Sequence, residues 1–304
     1  MPSKPNLVRR RRLIVLTPAD EGDFEALLSL RMARGITRPV ERLARNARRI
    51  GRLELQALPR VDSRLLEIQH LDQALAESAR GLQAFMKFVP VDVVRQLMAQ
   101  GHALTASGEP RELTVMFTDV RGFTHMAESV SAQQLVAQMT RYFNAASQVI
   151  MQHGGTLDKF VGDALMVLWG APVELADAPL QACRAAQDLQ RTFDALNAEW
   201  ALAGLPAFET CIGIHTGPVV AGVLGADDRL TYTALGDTVN VASRVEDLNR
   251  ALGTRILISD TTRSALGERL PTRAIGAVPL RGRQTTLEVW ELLERAPPQP
   301  DPGA

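Results

Sequence analysis

Two stretches decide how this chain is read: LTVMFTDVRGFTHMAE at 113–128 and TLDKFVGDALMVLW at 156–169. Each sets one carboxylate, Asp119 or Asp163, at the edge of a run of strand-forming residues. Val115-Met116-Phe117 is a short apolar run bounded by polar residues, the pattern of a strand buried on both faces, so Asp119 falls where that strand ends. Thr156–Phe160 and Ala164–Trp169 read as two strands joined by a tight turn through Val161-Gly162-Asp163, which puts Asp163 at a hairpin tip. Carboxylates so placed suit a hard divalent cation, which takes oxygen ligands. Either Asp alone is equally a turn residue beside a glycine.

Around these stretches the patterning alternates between helix and strand. Ser131–Gln152 predicts a helix: Ser131 can cap it, Leu135, Met139 and Phe143 give one face, and Gly154-Gly155 ends it. A second helix spans about 176–203, with Leu180, Cys183, Ala186, Leu189 and Phe193 at helical spacing. Strands are expected at 208–214 and 218–224, joined by a turn at His215-Thr216-Gly217. A helix follows at 237–252, then short strands at 255–258, 272–280 and 286–292. Strands and helices without regular βαβ alternation indicate an α+β class.

FTDVRGFT, then DKFVGDALMVLWG, then LTYTALGDTVNVASR at 230–244, in that order, resemble the catalytic domain of the class III nucleotidyl cyclases. The likeness runs from about Glu112 to Leu292. It implies a ferredoxin-like core with a twisted, mainly antiparallel sheet, in a catalytic domain over 111–294. It also implies an adenylyl cyclase that makes 3′,5′-cyclic AMP and pyrophosphate from ATP. A guanylyl cyclase and a catalytically silent nucleotide-binding or dimerising module are the alternatives.

Cyclisation needs the ribose 3′-oxygen held in line with the α-phosphorus and the phosphate charge neutralised, with no covalent intermediate. Two magnesium or manganese ions serve such reactions elsewhere. Asp119 and Asp163 are the expected ligands, with the Val120 carbonyl added by the resemblance. Arg121-Gly122-Phe123-Thr124 offers successive backbone N–H groups near a helix start, which places Phe123 and Thr124 against a triphosphate. Asn240 and Arg244, four apart, project from one helix face. The resemblance makes Asn240 the ribose contact and Arg244 the α-phosphate contact.

Base choice follows from hydrogen-bond inventory. Adenine presents an acceptor at N1 and a donor at its 6-amino group; guanine presents the reverse. Lys159 has donors only and the Thr233 hydroxyl can accept, so the pair suits adenine. Guanine-selective members of the family carry an acidic residue where Lys159 stands and typically a cysteine where Thr233 stands, whereas many adenine-selective relatives have Asp at the latter. Arg281, in the 280–283 turn, and Arg229, in the loop before Thr233, are further triphosphate candidates. The register leaves Arg283 as an alternative to Arg281. His153 and His215 are read as structural turn residues. In the family the metal carboxylates of a site come from one subunit and its base, ribose and α-phosphate contacts from the other, which implies a head-to-tail homodimer with two shared sites.

The rest of the chain is set by composition. Among 304 residues, 34 basic and 34 acidic side chains cancel, so no overall field recruits nucleic acid or an anionic membrane. No apolar run approaches the roughly 18–20 residues of a membrane span. Cys183 and Cys211 lack metal-type spacing and read as buried free thiols of a reducing compartment. The expected setting is cytoplasmic, with peripheral or partner-mediated membrane association as the alternative. Residues 1–33 read as a basic, poorly ordered arm and a short helix; the helical pattern that begins at Phe24 is interrupted at Gly35 and Pro39. The segment 34–81 resembles a HAMP signalling module; an amphipathic helical pair that only holds two chains together is the alternative. Leu43, Ala47 and Ile50, and Leu65, Ile68, Leu71 and Leu75, give helical faces for a parallel bundle in a dimer. A transducer helix and connector fill 82–110, including Gly101–Pro110, and 295–304 read as a disordered tail.

Overall fold

The computed structural model describes residues 31–56, 58–86, 107–226, 229–280 and 286–294, with Ala26 and Ser29. The chain divides into two units, 1–89 and 90–304.

In the first unit a π-helical turn, Ala33–Thr37, runs straight into helix α1, Arg38–Gly51. The α-helical bonding is thus interrupted around Gly35, as expected, whereas Pro39 sits in the first turn of the resumed helix and does not break it. A proline in the first turn of α1 needs no N–H partner, and the wider π turn before it absorbs the change in bonding. Helix α2 spans Leu66–Phe85. Leu43, Val61 and Ile68 pack together with Leu75 beside them. The Asn46 amide is also buried and donates to the Pro59 carbonyl at 2.9 Å, which fastens the connector to α1. Of the expected faces, Ala47, Leu65 and Leu71 stay exposed within the chain and Ile50 is half-buried. The pair thus uses only part of its apolar surface.

The second unit is built on an eight-stranded sheet. Its elements are β1 Ser107–Val120, α3 Phe123–Glu128, α4 Ala132–Gln152, β2 Thr156–Val161, β3 Ala164–Trp169, α5 Ala178–Leu202, β4 Thr210–Ala226, β5 Arg229–Leu235, α6 Asp237–Leu252, β6 Ile256–Ser259, α7 Asp260–Leu266, β7 Thr272–Pro279 and β8 Thr286–Leu292. The sheet order is β2-β3-β1-β4-β6-β8-β7, with β5 on the far half of β4. Among the described strand pairings, only β4 and β6 run parallel. The β1-α4-β2-β3-α5-β4 portion, in order β4-β1-β3-β2, is the ferredoxin-like core.

Alternate residues of the central strands face opposite layers. Met116, Leu165, Val167, Ile212 and Ile214 face α4 and α5, where Tyr142, Phe193, Trp200 and Phe208 fill the core. Val115, Met166, Leu168 and Val219 face the other way, against Ala242 of α6 and Ala234 of β5. Helix α4 starts as expected, with Ser131 and Gln134 forming a capping box. Both cysteines are buried and free.

Three expectations change. The runs 208–214 and 218–224 are one strand, β4, because His215, Thr216 and Gly217 pair with Val115, Thr114 and Leu113 instead of turning. His215 is accordingly buried in a strand, with Nδ1 at 2.7 Å from Ser259 Oγ. Strand β1 begins at Ser107, so 107–110 belong to the sheet and not to a connector. Residues 229–235 form β5 instead of a loop. The expected tail at 295–304 and residues 87–106 of the expected transducer helix and connector lie outside the described residues.

Helix α6 sits close on β4 only because residue 213 is glycine. A Cβ there would lie 2.2 Å from the Glu246 backbone nitrogen. Gly213→Ala is expected to destabilise the domain by about 3 kcal/mol or more, since the helix backbone itself would have to move. Urea denaturation of the purified variant measures it.

Candidate active site

Asp119 is the penultimate residue of β1 and Asp163 follows Gly162 in the turn between β2 and β3. Gly162 has φ 66°, a left-handed conformation that the tight turn requires. The Val120 N–H donates to Asp163 Oδ2 at 3.0 Å, which fastens the hairpin tip to the end of β1. The two carboxylates are brought together. Burial, followed by the charge of Asp163 and a hydrogen bond with it, raises the pKa of Asp119 to about 6. Tyr142, beneath them, is fully buried, stacks on Phe193 at 4.4 Å between ring centroids, and has its hydroxyl 3.1 Å from Thr210 Oγ1.

Sequence reasoning missed three neighbours of this pair. Asp119, Arg121 and Cys211 share a crevice of about 100 Å³ with Glu246, Asp247 and Arg250 of α6. Burial and then the charges of Asp119 and Asp247 push Glu246 up to about 8. Their position depends on the close approach at Gly213, which leaves no local pattern in the helix sequence. Among the described residues no group of three or more His, Cys, Asp or Glu side chains is arranged to hold a metal ion. Two crowded carboxylate oxygen donors nonetheless match the donor chemistry that magnesium and manganese take.

The Arg121–Thr124 segment is only partly available to an anion. Gly122 has φ 70° and opens α3. The Arg121 N–H, however, already donates to the Glu209 carbonyl at 2.8 Å. The Arg121 guanidinium turns toward Cys211 Sγ and the Thr254 carbonyl, each at 3.4 Å. The N–H groups of Phe123 and Thr124, in the first turn of α3, are the part of the segment with no intrahelical acceptor.

Lys159 and Thr233, 74 positions apart, meet: the ammonium donates to Thr233 Oγ1 at 3.2 Å. Strands β3, β1 and β4 stand between β2 and β5 in the sheet, so β5 folds over the face that carries α6 to make this contact. Asp158, which the sequence reading passed over, completes the cluster. Its Oδ2 accepts from the Thr233 hydroxyl at 2.9 Å and lies 3.2 Å from Lys159 Nζ. Burial raises the Asp158 pKa, opposed by Lys159 and the Thr233 hydrogen bond. The signal was present in TLDKFV, where two successive polar residues break strand alternation.

Asn240 is exposed on α6 and Arg244, one turn on, is half-buried. Val241 and Val245 take the inward face of the helix. The side chains of Asn240 and Arg244 have no hydrogen-bond or ion-pair partner among the described residues. Among the described residues, Asp163, Glu246, Asp247, Arg121, Cys211 and Arg250 gather around Asp119. Arg229 opens β5, but its side chain, like all of Arg281 and Arg283, lies outside the described residues.

With this geometry in place, the chain belongs to the family of adenylate and guanylate cyclase catalytic domains, whose model matches residues 106–293. It is 36% identical to adenylate cyclase 1 of Rhizobium meliloti over 88% of this chain and 40% of that protein. An adenylate cyclase of Anabaena cylindrica is 30% identical over 86% of this chain and 55% of its own length. The chain thus spans about half or less of these relatives. Among solved structures, the adenylyl cyclase CyaB of P. aeruginosa superposes with a TM-score of 0.59 at 30% identity, covering 63% of this chain and 98% of that one. The guanylyl cyclase Cya2 superposes with a TM-score of 0.57 at 33% identity, covering 64% and 97%. The fold and the enzyme class are therefore those of a nucleotidyl cyclase catalytic domain.

Proposed function

We propose that this chain is an adenylyl cyclase that converts ATP to 3′,5′-cyclic AMP and pyrophosphate at sites shared by two copies. The observation that carries the choice of base is the meeting of Lys159 and Thr233, which offers a donor and an acceptor side by side. Adenine presents their complements at N1 and the 6-amino group.

Asp119 and Asp163, with the Val120 carbonyl, would hold two magnesium or manganese ions. When bound, such ions neutralise phosphate charge and lower the pKa of the attacking hydroxyl. The residues of the chain do the rest. The Phe123 and Thr124 N–H groups receive phosphate oxygens, with Arg281 or Arg283 and Arg229 as further cations. Lys159 and Thr233 seat the base, and Asn240 fixes the ribose so that its 3′-oxygen faces the α-phosphorus. Arg244 donates to the α-phosphate as charge builds on its oxygens.

Asn240 and Arg244, whose side chains have no partner among the described residues, suit a head-to-tail homodimer in which they face the partner's triphosphate. The N-terminal helix pair suits the same assembly: Val40, Leu65, Leu66 and Leu71 are exposed apolar side chains that a parallel HAMP-like bundle would cover. Among the described residues no helix is long and apolar enough to cross a membrane. A cytoplasmic setting supplies both ATP and magnesium.

Turnover of purified protein with ATP or GTP, with and without manganese, tests this reading. Cyclic AMP is expected to form well above cyclic GMP. The reverse would identify a guanylyl cyclase, and neither product a silent nucleotide-binding module. Lys159→Ala is expected to lower kcat/KM for ATP by about 10- to 100-fold, the worth of one hydrogen bond from a charged donor, and to leave GTP use little changed, so that the ATP/GTP ratio falls. Steady-state kinetics with both nucleotides measures it.

A further inference from the structure

Asp158 is the extra residue of a β-bulge. In the β2–β3 ladder Leu157 pairs with Val167 and Lys159 with Met166, and Asp158 pairs with nothing. Consecutive residues of a regular strand point to opposite faces. Here the bulge lets both Asp158 and Lys159 reach the same hydroxyl, that of Thr233. Bulges re-aim side chains in this way beside functional sites. The Asp158 side chain has no exposed surface, and its Oδ1 is buried without a hydrogen-bond partner. A buried carboxylate with one oxygen unsatisfied weakens a fold, so its presence calls for a role other than stability.

We propose that Asp158 is a specificity-determining positioning residue that fixes the Thr233 hydroxyl as an acceptor and so makes the base pocket read adenine and reject 6-oxopurines. The inference rests on the adenylyl cyclase reading and adds a residue to its base pocket. Threonine by itself is ambiguous, since its hydroxyl can donate to the O6 of guanine or hypoxanthine as readily as it accepts from a 6-amino group. The ambiguity is removed by occupancy. The single Thr233 hydroxyl proton goes to Asp158 Oδ2, and one Thr233 lone pair receives Lys159. One lone pair remains. Of the three Lys159 protons, one lies toward Thr233 and one toward Asp158, which leaves one. The pocket therefore presents one spare acceptor beside one spare donor. The adenine edge satisfies both, while a 6-oxopurine brings a donor to the lysine and an acceptor to the threonine. The relay delegates to Thr233 and Asp158 together what a single carboxylate in the Thr233 position would do directly.

The test uses ATP, GTP and inosine triphosphate, whose base differs from adenine at the 6-position and N1 alone. Turnover of ATP by the wild-type dimer is read first, because its failure would strike the adenylyl cyclase reading itself. If no turnover is seen, the same ratios are read from competitive displacement of a fluorescent ATP analogue. In the wild type, inosine triphosphate is expected to be used about 100-fold less well than ATP. Asp158→Asn supplies an amide that can donate to Thr233, which frees the threonine proton. The preference for ATP over inosine triphosphate is then expected to shrink about 10-fold. Asp158→Ser carries the same test if the asparagine variant does not fold. In a Thr233→Val background, Asp158→Asn should change the preference less than 2-fold, because its effect runs through the missing hydroxyl. Equal losses with ATP and inosine triphosphate would overturn the proposal. So would an unchanged preference, or the same change in the Thr233→Val background.

Discussion

Asp119→Asn is expected to lower cyclic AMP formation by about 1,000-fold or more without lowering the thermal stability of the metal-free protein. The first half follows from the oxygen donors the pair supplies. Charge neutralisation by metal ions in phosphoryl transfer is worth several kcal/mol, and about 4 kcal/mol corresponds to 1,000-fold in rate. The second half follows from the burial of Asp119 and its crowding against Asp163, which raise its pKa to about 6. Two carboxylates in contact repel when ionised, so an amide at one of them relieves strain. A substitution that abolishes activity while keeping or raising the melting temperature marks a residue held for chemistry and not for the fold. Activity assays and thermal melts on one preparation give both numbers. A manganese-induced rise in melting temperature, present in the wild type and lost in Asp119→Asn, ties the defect to ion binding.

Arg244→Ala is expected to cost about 100- to 1,000-fold in kcat with little change in KM. A donor aimed at charge that develops only in the transition state acts on kcat, and losing one costs about 3–4 kcal/mol. The Arg244 side chain has no hydrogen-bond or ion-pair partner among the described residues of its own chain. Its truncation should therefore leave stability within about 0.5 kcal/mol of wild type. Arg244→Lys should recover only part of the loss, because a lysine lacks the planar fork that grips phosphate oxygens. Steady-state kinetics and urea denaturation separate the two effects.

The parts of this protein legible in its sequence are those set by local pattern. The strand at Val115–Phe117, the hairpin carrying Asp163 and the capped helix after Ser131 all appear where patterning puts them. Where reading failed, tertiary contacts overruled local preference. His215-Thr216-Gly217 has turn composition, yet His215 is held by Ser259, Thr216 by Thr114 and Thr262, and a Cβ at Gly217 would sit 2.8 Å from Thr238 Oγ1. The glycine there serves close packing of α6, not a turn. Strand β5 was invisible because it is stabilised by the far half of β4, a partner no local window contains. Asp158 was overlooked beside the more evident Lys159, although the break in alternation at that point is what a bulge looks like in sequence. Glu246, Asp247 and Arg250 reach the carboxylates only through the packing of α6 on Gly213.

The shared site is the central claim, and one mixing experiment tests it most directly. Asp119→Ala chains and Asn240→Ala chains, each inactive alone, are unfolded together, refolded at equal concentration and assayed with ATP and manganese. Half of the dimers formed at random pair one chain of each kind, and each such dimer holds one site with every residue intact. About a quarter of wild-type activity is therefore expected to return. If the mixture forms dimers and stays as inactive as its components, the carboxylates and Asn240 do not come together from two chains, and the account is contradicted.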